Sequence, residues 1–383
     1  MLQTGKHCIN KGFSLSSDPA EAAREFYASV DADNAAITVF FCSPSYNLDV
    51  LAASLREVFG NRPLVGCTTA GEISPMGYLE GSITGFSLPK SEFGVAVEMV
   101  DQISGYDFTR VATAAKRARD SLGLPANEPA KKAFGFLMTD GLSCIEELVV
   151  SGIYRSLGGI HMFGGSAADG GQYRATHIYH DGRFRSDATL LTLVKTNRPF
   201  TIFKTDHFQA TDEKIVITEA NPAERVVREI NGRPAVEEYA RLVGISVDEV
   251  DYQTFGKYAF VARVGGTYYV RGIQRATDDG HLRFLCAIDE GVVLSLAKAG
   301  DLTRNLKETF SAIQKRMGTP EIIIACDSMH RNLELDYGGM RPEVSELMAL
   351  NNVIGFSTYG EQINFMHTSN TFTGIAIGSG ESS

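Results

Sequence analysis

The feature that most constrains this chain is a pattern it carries more than once. Val65-Gly66-Cys67-Thr68-Thr69-Ala70-Gly71-Glu72 and Ile354-Gly355-Phe356-Ser357-Thr358-Tyr359-Gly360-Glu361 agree at both glycines, at one threonine and at the glutamate. What precedes each is also alike: an apolar run of strand length (35–42 and 322–328), then a helix. The first helix shows Leu48, Leu51, Leu55 and Phe59 at spacings of three and four; the other covers 342–350. A further copy lies between them, with a strand at 134–141, a helix over 143–156 and a glycine loop at 160–170. Repetition on this scale is the mark of a supersecondary unit used several times. The expected fold is α+β, a layered sandwich of repeated β-α-β-β units with strands against strands and helices outside. Between the second and third copies, 203–208 and 214–219 read as strands and 222–230 and 235–242 as helices. A meander of strands at 258–264, 268–273 and 282–287 follows.

Composition narrows the class of function. With 383 residues, 44% of them hydrophobic and 21% charged, the chain has material for a core and for more than one domain. Its 36 Lys plus Arg against 46 Asp plus Glu give a net charge of −10 with no basic patch, which argues against a nucleic-acid partner. No run of about 18 uncharged apolar residues is present to span a bilayer, and positions 1–33 lack the apolar core of a secretory signal. The expected setting is cytoplasmic, with no membrane partner. The six cysteines form no CxxC pair and are expected to be free thiols in a reducing compartment. Cys67, in a glycine-rich turn, is the one placed to face a ligand or to react.

Catalytic constellations are missing from the sequence. The eight histidines supply no HExxH, and His177 and His180 would point to opposite faces of a strand. There is no GxSxG elbow, no Walker pattern and no strand-linked GxGxxG. The residues taken by themselves describe a ligand-binding module, not an enzyme, in which glycine loops let backbone approach a ligand closely.

Cys67-Thr68-Thr69-Ala70-Gly71-Glu72-Ile73, Asn231-Gly232-Arg233-Pro234-Ala235 and Phe356-Ser357-Thr358-Tyr359-Gly360-Glu361-Gln362 resemble the FIST sensory family. The resemblance implies a lead-in over 1–33 and two FIST modules, N-terminal at 34–230 and C-terminal at 231–383, that share strands and helices. Segments 203–211, 269–274, 286–291 and 367–374 are similar to the NosP-like branch. That branch implies noncovalent haem b, detection of nitric oxide, and relay to a histidine kinase or a cyclic-di-GMP enzyme. His207, flanked by Phe203 and Phe208, would be the axial metal ligand, with His367 second; Arg271 and Arg263 would meet the propionates. His330 falls where the chain departs from the branch and is not expected to ligate. The alternative is a FIST module that senses a small metabolite such as an amino acid without haem. Backbone amides of two loops would hold it: Gly66, Cys67, Thr68, Thr69, Gly71 and Glu72, and Gly355, Thr358, Gly360 and Glu361. The oligomeric state stays open, a homo-oligomer included.

Overall fold

The computed structural model describes residues 8–125 and 131–380, and within them the chain is α+β with four sheets. Strand register shows how the copies are built. Each unit has an edge strand and a helix, then two parallel strands joined by a helix, a short hairpin and a return strand. Unit 1 is Asn10–Ser14, Pro19–Ser29, Ala35–Cys42, Leu48–Phe59, Leu64–Thr68, the hairpin Glu72–Ser74 with Gly77–Leu79, and Ile83–Pro89. Unit 2 is Phe93–Asp101, Phe108–Ser121, Ala133–Thr139, Glu146–Ser156, Met162–Ser166, the hairpin Ile178–His180 with Arg183–Arg185, and Ala188–Thr196. Unit 3 is Phe200–Thr205, Leu302–Met317, Ile322–Ser328, the helices Met329–Tyr337 and Arg341–Leu350, Val353–Thr358, the hairpin Glu361–Ile363 with Met366–Thr368, and Phe372–Ile377. The leading helix of each unit starts where an aspartate, Asp18, Asp107 or Asp301, accepts a hydrogen bond from a first-turn N–H.

The hairpins are exchanged in a ring. Unit 1's hairpin extends the sheet of unit 3, pairing Ile73 with Gly355. Unit 2's extends unit 1, pairing Ile178 with Cys67, and unit 3's extends unit 2, pairing Gln362 with Gly164. No unit can leave without breaking two ladders. Alternation along the strands sends Ile37, Val39 and Phe41, Phe134, Phe136 and Met138, and Ile322, Ile324 and Cys326 into one shared core, where Phe41 stacks on Phe356 at 4.5 Å. Phe40 and Cys42 face the other way, onto Phe26, Leu51 and Leu55 of the helices. Gly66, Gly164 and Gly355 hold equivalent places opposite Phe40, Leu137 and Ala325. A Cβ at any of them would overlap the partner's carbonyl oxygen, so glycine is required there.

The fourth sheet is an insertion in unit 3, between Phe200–Thr205 and Leu302–Met317, with its own core around Ile217, Tyr239, Phe260 and Phe284. Here local expectations need correction. The helix expected over 222–230 is a single turn, Pro222–Glu224, followed by left-handed Arg225 (φ 56°) and the strand Val226–Ile230, where paired valines favour extended backbone. The strand expected at 203–208 breaks at Asp206-His207, and 214–219 belongs to one long strand, Phe208–Asn221. The expected module boundary at 230/231 lies in a turn of the inserted sheet, where Ile230 pairs with Arg233. Residues ahead of 34 supply the edge strand and first helix of unit 1.

Candidate functional site

The loops after the second parallel strands converge. Ser357 N–H donates to the Gly71 carbonyl at 2.8 Å, Ala70 N–H to that of Ser357 at 2.9 Å, Ala168 N–H to that of Thr68 at 3.0 Å and Ser166 N–H to that of Gly360 at 2.8 Å. Two amides of the expected ligand loops, those of Ala70 and Ser357, are therefore spent between the loops themselves. Two buried carboxyls sit under this junction in matching cradles. Glu72 accepts from Thr69 Oγ1 at 2.5 Å and from Ser82 Oγ at 2.7 Å; Glu361 accepts from Thr358 Oγ1 at 2.9 Å and from Thr371 Oγ at 2.8 Å. Burial pushes Glu72 up to about 7 and Glu361 up to about 8, against the opposing pull of these hydrogen bonds. By strand register the same three places in unit 2 are Ala167, Ile178 and Ala188, so there the whole trio is apolar.

Cavities open between these loops and the inserted domain. The largest, 740 Å³, is lined by Thr69, Gly71, Glu72 and Asn332 of the core and by Tyr252 and Gln274 of the insert. A second, 620 Å³, shares Gln172, Tyr173 and Gln274 with it and is walled by Tyr359 and several arginines. A smaller one, 290 Å³, joins the first along Tyr252, His330, Leu333 and Tyr337. The hydroxyls of Tyr252 and Tyr337 meet across the mouth, linking insert to core.

The residues expected to hold haem do not come together on any of these cavities. His207 is buried at the crossing of the insert's two connections, its carbonyl accepting from Gly300 N–H at 2.7 Å. Arg331 has only donors, so its contact at 3.1 Å makes His207 Nδ1 an acceptor. The ring proton is then on Nε2, 2.8 Å from Glu334 Oε2. Neither nitrogen is free for iron, and the surroundings are charged rather than dry: Arg331 also donates to the buried Asp327 at 2.7 Å. His367 is buried with Nδ1 unpartnered and its ring packed against Gly360, where a Cβ would collide with it. Burial lowers its pKa, with Glu147 opposing. Arg271 donates to the His367 carbonyl at 3.1 Å, and Arg263 is exposed over the Tyr268 ring at 5.8 Å. This constellation does not fit haem. Of the ligand loops, Thr69, Gly71 and Glu72 line the largest cavity, while Gly66, Cys67, Thr68, Gly355, Thr358, Gly360 and Glu361 line none of the three. Cys67 lies in a strand rather than a turn. Its side chain is fully buried, and burial first, with Glu72 second, pushes its thiol well above its ordinary value.

His330, which the sequence sets aside as a ligand, lines two of these cavities, and the arginines Arg174, Arg225, Arg275 and Arg283, which the sequence does not single out, line the second. His330 Nδ1 lies 3.2 Å from Asn370 Oδ1, an acceptor, which places the proton on Nδ1 and leaves a lone pair on Nε2. Burial lowers this histidine to about 4, so the ring is neutral. Among the described residues no group of three or more His, Cys, Asp or Glu is gathered for a metal ion.

The structure is thus an α+β core of three interlocked units with cavities of 290, 620 and 740 Å³ against an inserted domain. The chain belongs to the FIST family: the FIST N domain matches residues 36–233 and the FIST C domain residues 235–364. FIST domains mark signalling sensors. No curated protein matches the chain. Two solved structures of cyanuric acid hydrolase do. One, described as an evolutionary innovation by structural concatenation, is 10% identical with a TM-score of 0.35. The other, from A. caulinodans, is 9% identical with a TM-score of 0.37. In both, 97% of this chain and 99% of the other are covered. The expectation of a non-enzyme does not stand, since the solved structures that the chain matches are of a hydrolase; at this identity and TM-score they carry no activity over to this chain. Among the described residues no helix is long and apolar enough to cross a membrane.

Proposed function

We propose that this protein is a sensor whose signal is a small polar metabolite, of the amino-acid class, held between the three-unit core and the inserted domain. The supporting observation is that both bodies wall one cavity of 740 Å³, within the range of small-molecule sites. Its lining favours a ligand rich in donors. Glu72, Glu80 and Asp336 face it, and the one guanidinium among them, Arg341, is already paired with Asp336 at 2.6 Å and Glu80 at 3.7 Å. A ligand that touches both bodies favours one arrangement of insert on core in proportion to its differential contacts. A partner such as a histidine kinase or a cyclic-di-GMP enzyme would read that arrangement.

One observation favours haem instead: the neutral His330 imidazole, with its bare Nε2, lines two adjoining cavities. Haem, when bound, supplies an iron that takes nitric oxide as a ligand. Thermal unfolding against a panel of amino acids separates the readings. A ligand at a hundredfold its Kd adds about 2.7 kcal/mol, a rise of about 3 °C in Tm for a chain of this length. A Soret band that survives desalting and is lost in His330→Ala, with no response to any amino acid, would overturn the metabolite reading.

A further inference from the structure

The 620 Å³ cavity has a different chemistry from its neighbour. Arg174, Arg225, Arg275 and Arg283 line it in a chain whose net charge is −10, and the one carboxylate among its lining residues is Glu146. That carboxylate is spent on Arg225, at 2.5 Å, and Arg225 also takes Glu147 at 2.9 Å. Arg174, Arg275 and Arg283 have no ion pair among the described residues. Arg275 and Arg283 are directly opposite in the antiparallel pairing of Ile273–Ala276 with Leu282–Phe284. Like charges in that register destabilise a sheet unless a counter-charge sits between them.

Arg174 is delivered by a built loop. In units 1 and 3 the hairpin glutamate follows the glycine loop at once, whereas unit 2 inserts 169–177 before Ile178. Asp169 ties this insertion down, accepting from the N–H groups of Tyr173 at 2.8 Å, Arg174 at 2.6 Å and Ala175 at 2.9 Å, and from the Tyr359 hydroxyl. Tyr173 takes a left-handed backbone (φ 54°) and stacks on Tyr359 at 4.4 Å. The loop therefore presents its guanidinium from a fixed backbone, opposite the two arginines of the insert.

We infer that this cavity is a binding site for a small anion carrying several negative charges on clustered oxygens, a phosphate ester or a polycarboxylate, clamped between core and insert. Guanidinium forks match both kinds of oxygen pair. The site goes beyond the metabolite reading, since it lies on the far side of the shared Tyr173–Gln274 wall and needs no occupant in the larger cavity.

The test uses thermal unfolding and calorimetry with pyrophosphate and, separately, citrate, each against sodium chloride of equal ionic strength. One of the two anions is expected to raise Tm where chloride does not, and which one does so assigns the class. The double variant Arg275→Gln/Arg283→Gln is expected to bind at least tenfold more weakly, with an unliganded Tm at or above that of the parent because the opposed charges are gone. Should it not fold, Arg174→Gln, in a loop outside the sheets, gives the same readout. Equal shifts with chloride, or undiminished affinity in these variants, overturn the proposal. The amino-acid panel response is read in parallel, so failure of one site is distinguishable from failure of the other.

Discussion

Glu361→Gln tests the burial argument most directly. An acid whose folded pKa is raised keeps its proton in the folded state after the unfolded chain has lost its own. The stability it lends is then full below the unfolded value of 4.5 and drains away as pH rises toward the folded value of about 8. Each pH unit inside that window costs about 1.4 kcal/mol, so between pH 5 and 7 this one carboxyl removes roughly 3 kcal/mol. Glu72, raised to about 7, does the same over a window that closes one unit earlier. Glutamine keeps the shape and has no proton to lose. Urea unfolding of the parent is expected to show stability falling between pH 5 and 8, with Glu361→Gln shallower by about one proton's slope and flatter still above pH 7, where Glu72 is already spent. Parallel pH profiles for variant and parent would refute the reasoning, because they would mean that Glu361 titrates alike in both states.

Unit 2 supplies its own control: the triple change Thr358→Ala/Glu361→Ile/Thr371→Ala copies its apolar trio. It should be at least as stable as the parent at pH 8 by the same urea assay, since removing all partners of a buried polar group costs little. His207→Ala leaves Arg331 and Glu334 without their shared partner and should cost about 1–3 kcal/mol, with faster amide exchange at the insert's two connections, near 206–208 and 299–301. Unchanged exchange there would deny His207 its anchoring role. Gly355→Ala drives a Cβ into the Ala325 carbonyl and should leave no cooperative melt, whereas Ala at Gly232, with open space around it, should fold and lose only what its left-handed φ of 72° costs.

The strands, the crossover helices and the repetition were legible because period and glycine placement are local. Val39, Phe41 and Phe136 announce an inward face, and Gly66 and Gly355 announce a close backbone approach. The ring of exchanged hairpins was not legible, because Ile73, Ile178 and Gln362 pair with residues far away in sequence and nothing in their own neighbourhoods names the partner. The same limit hid the cavities. Arg174, Arg275 and Arg283 arrive from two bodies, and His330 looks like an ordinary helical residue until Asn370 orients its ring. His207 misled for a related reason. Its aromatic neighbours in sequence, Phe203 and Phe208, suggested a dry pocket, while its neighbours in space are Arg331 and Glu334.

How a bound molecule would be felt follows from how the two bodies are held. The core units are interlocked, because each sheet ends in strands that belong to another unit and all share one apolar centre. The insert is attached differently: two covalent crossings meet at His207 and Gly300, and docking contacts run through Arg225 to Glu146 and Glu147, Arg271 to the His367 carbonyl, and Gly272 N–H to Ser369 Oγ at 2.7 Å. With the Tyr252–Tyr337 contact and Ala287 N–H to Glu147 they run beside the cavities, and most are polar, so they are where a ligand's charge can compete. An anion drawn to Arg275 and Arg283, or a cation drawn to Glu72 and Asp336, acts on the one interface in the molecule that is not interlocked. Under the proposed reading, the element such a ligand would act on is the insert, joined to the core at the His207 crossing.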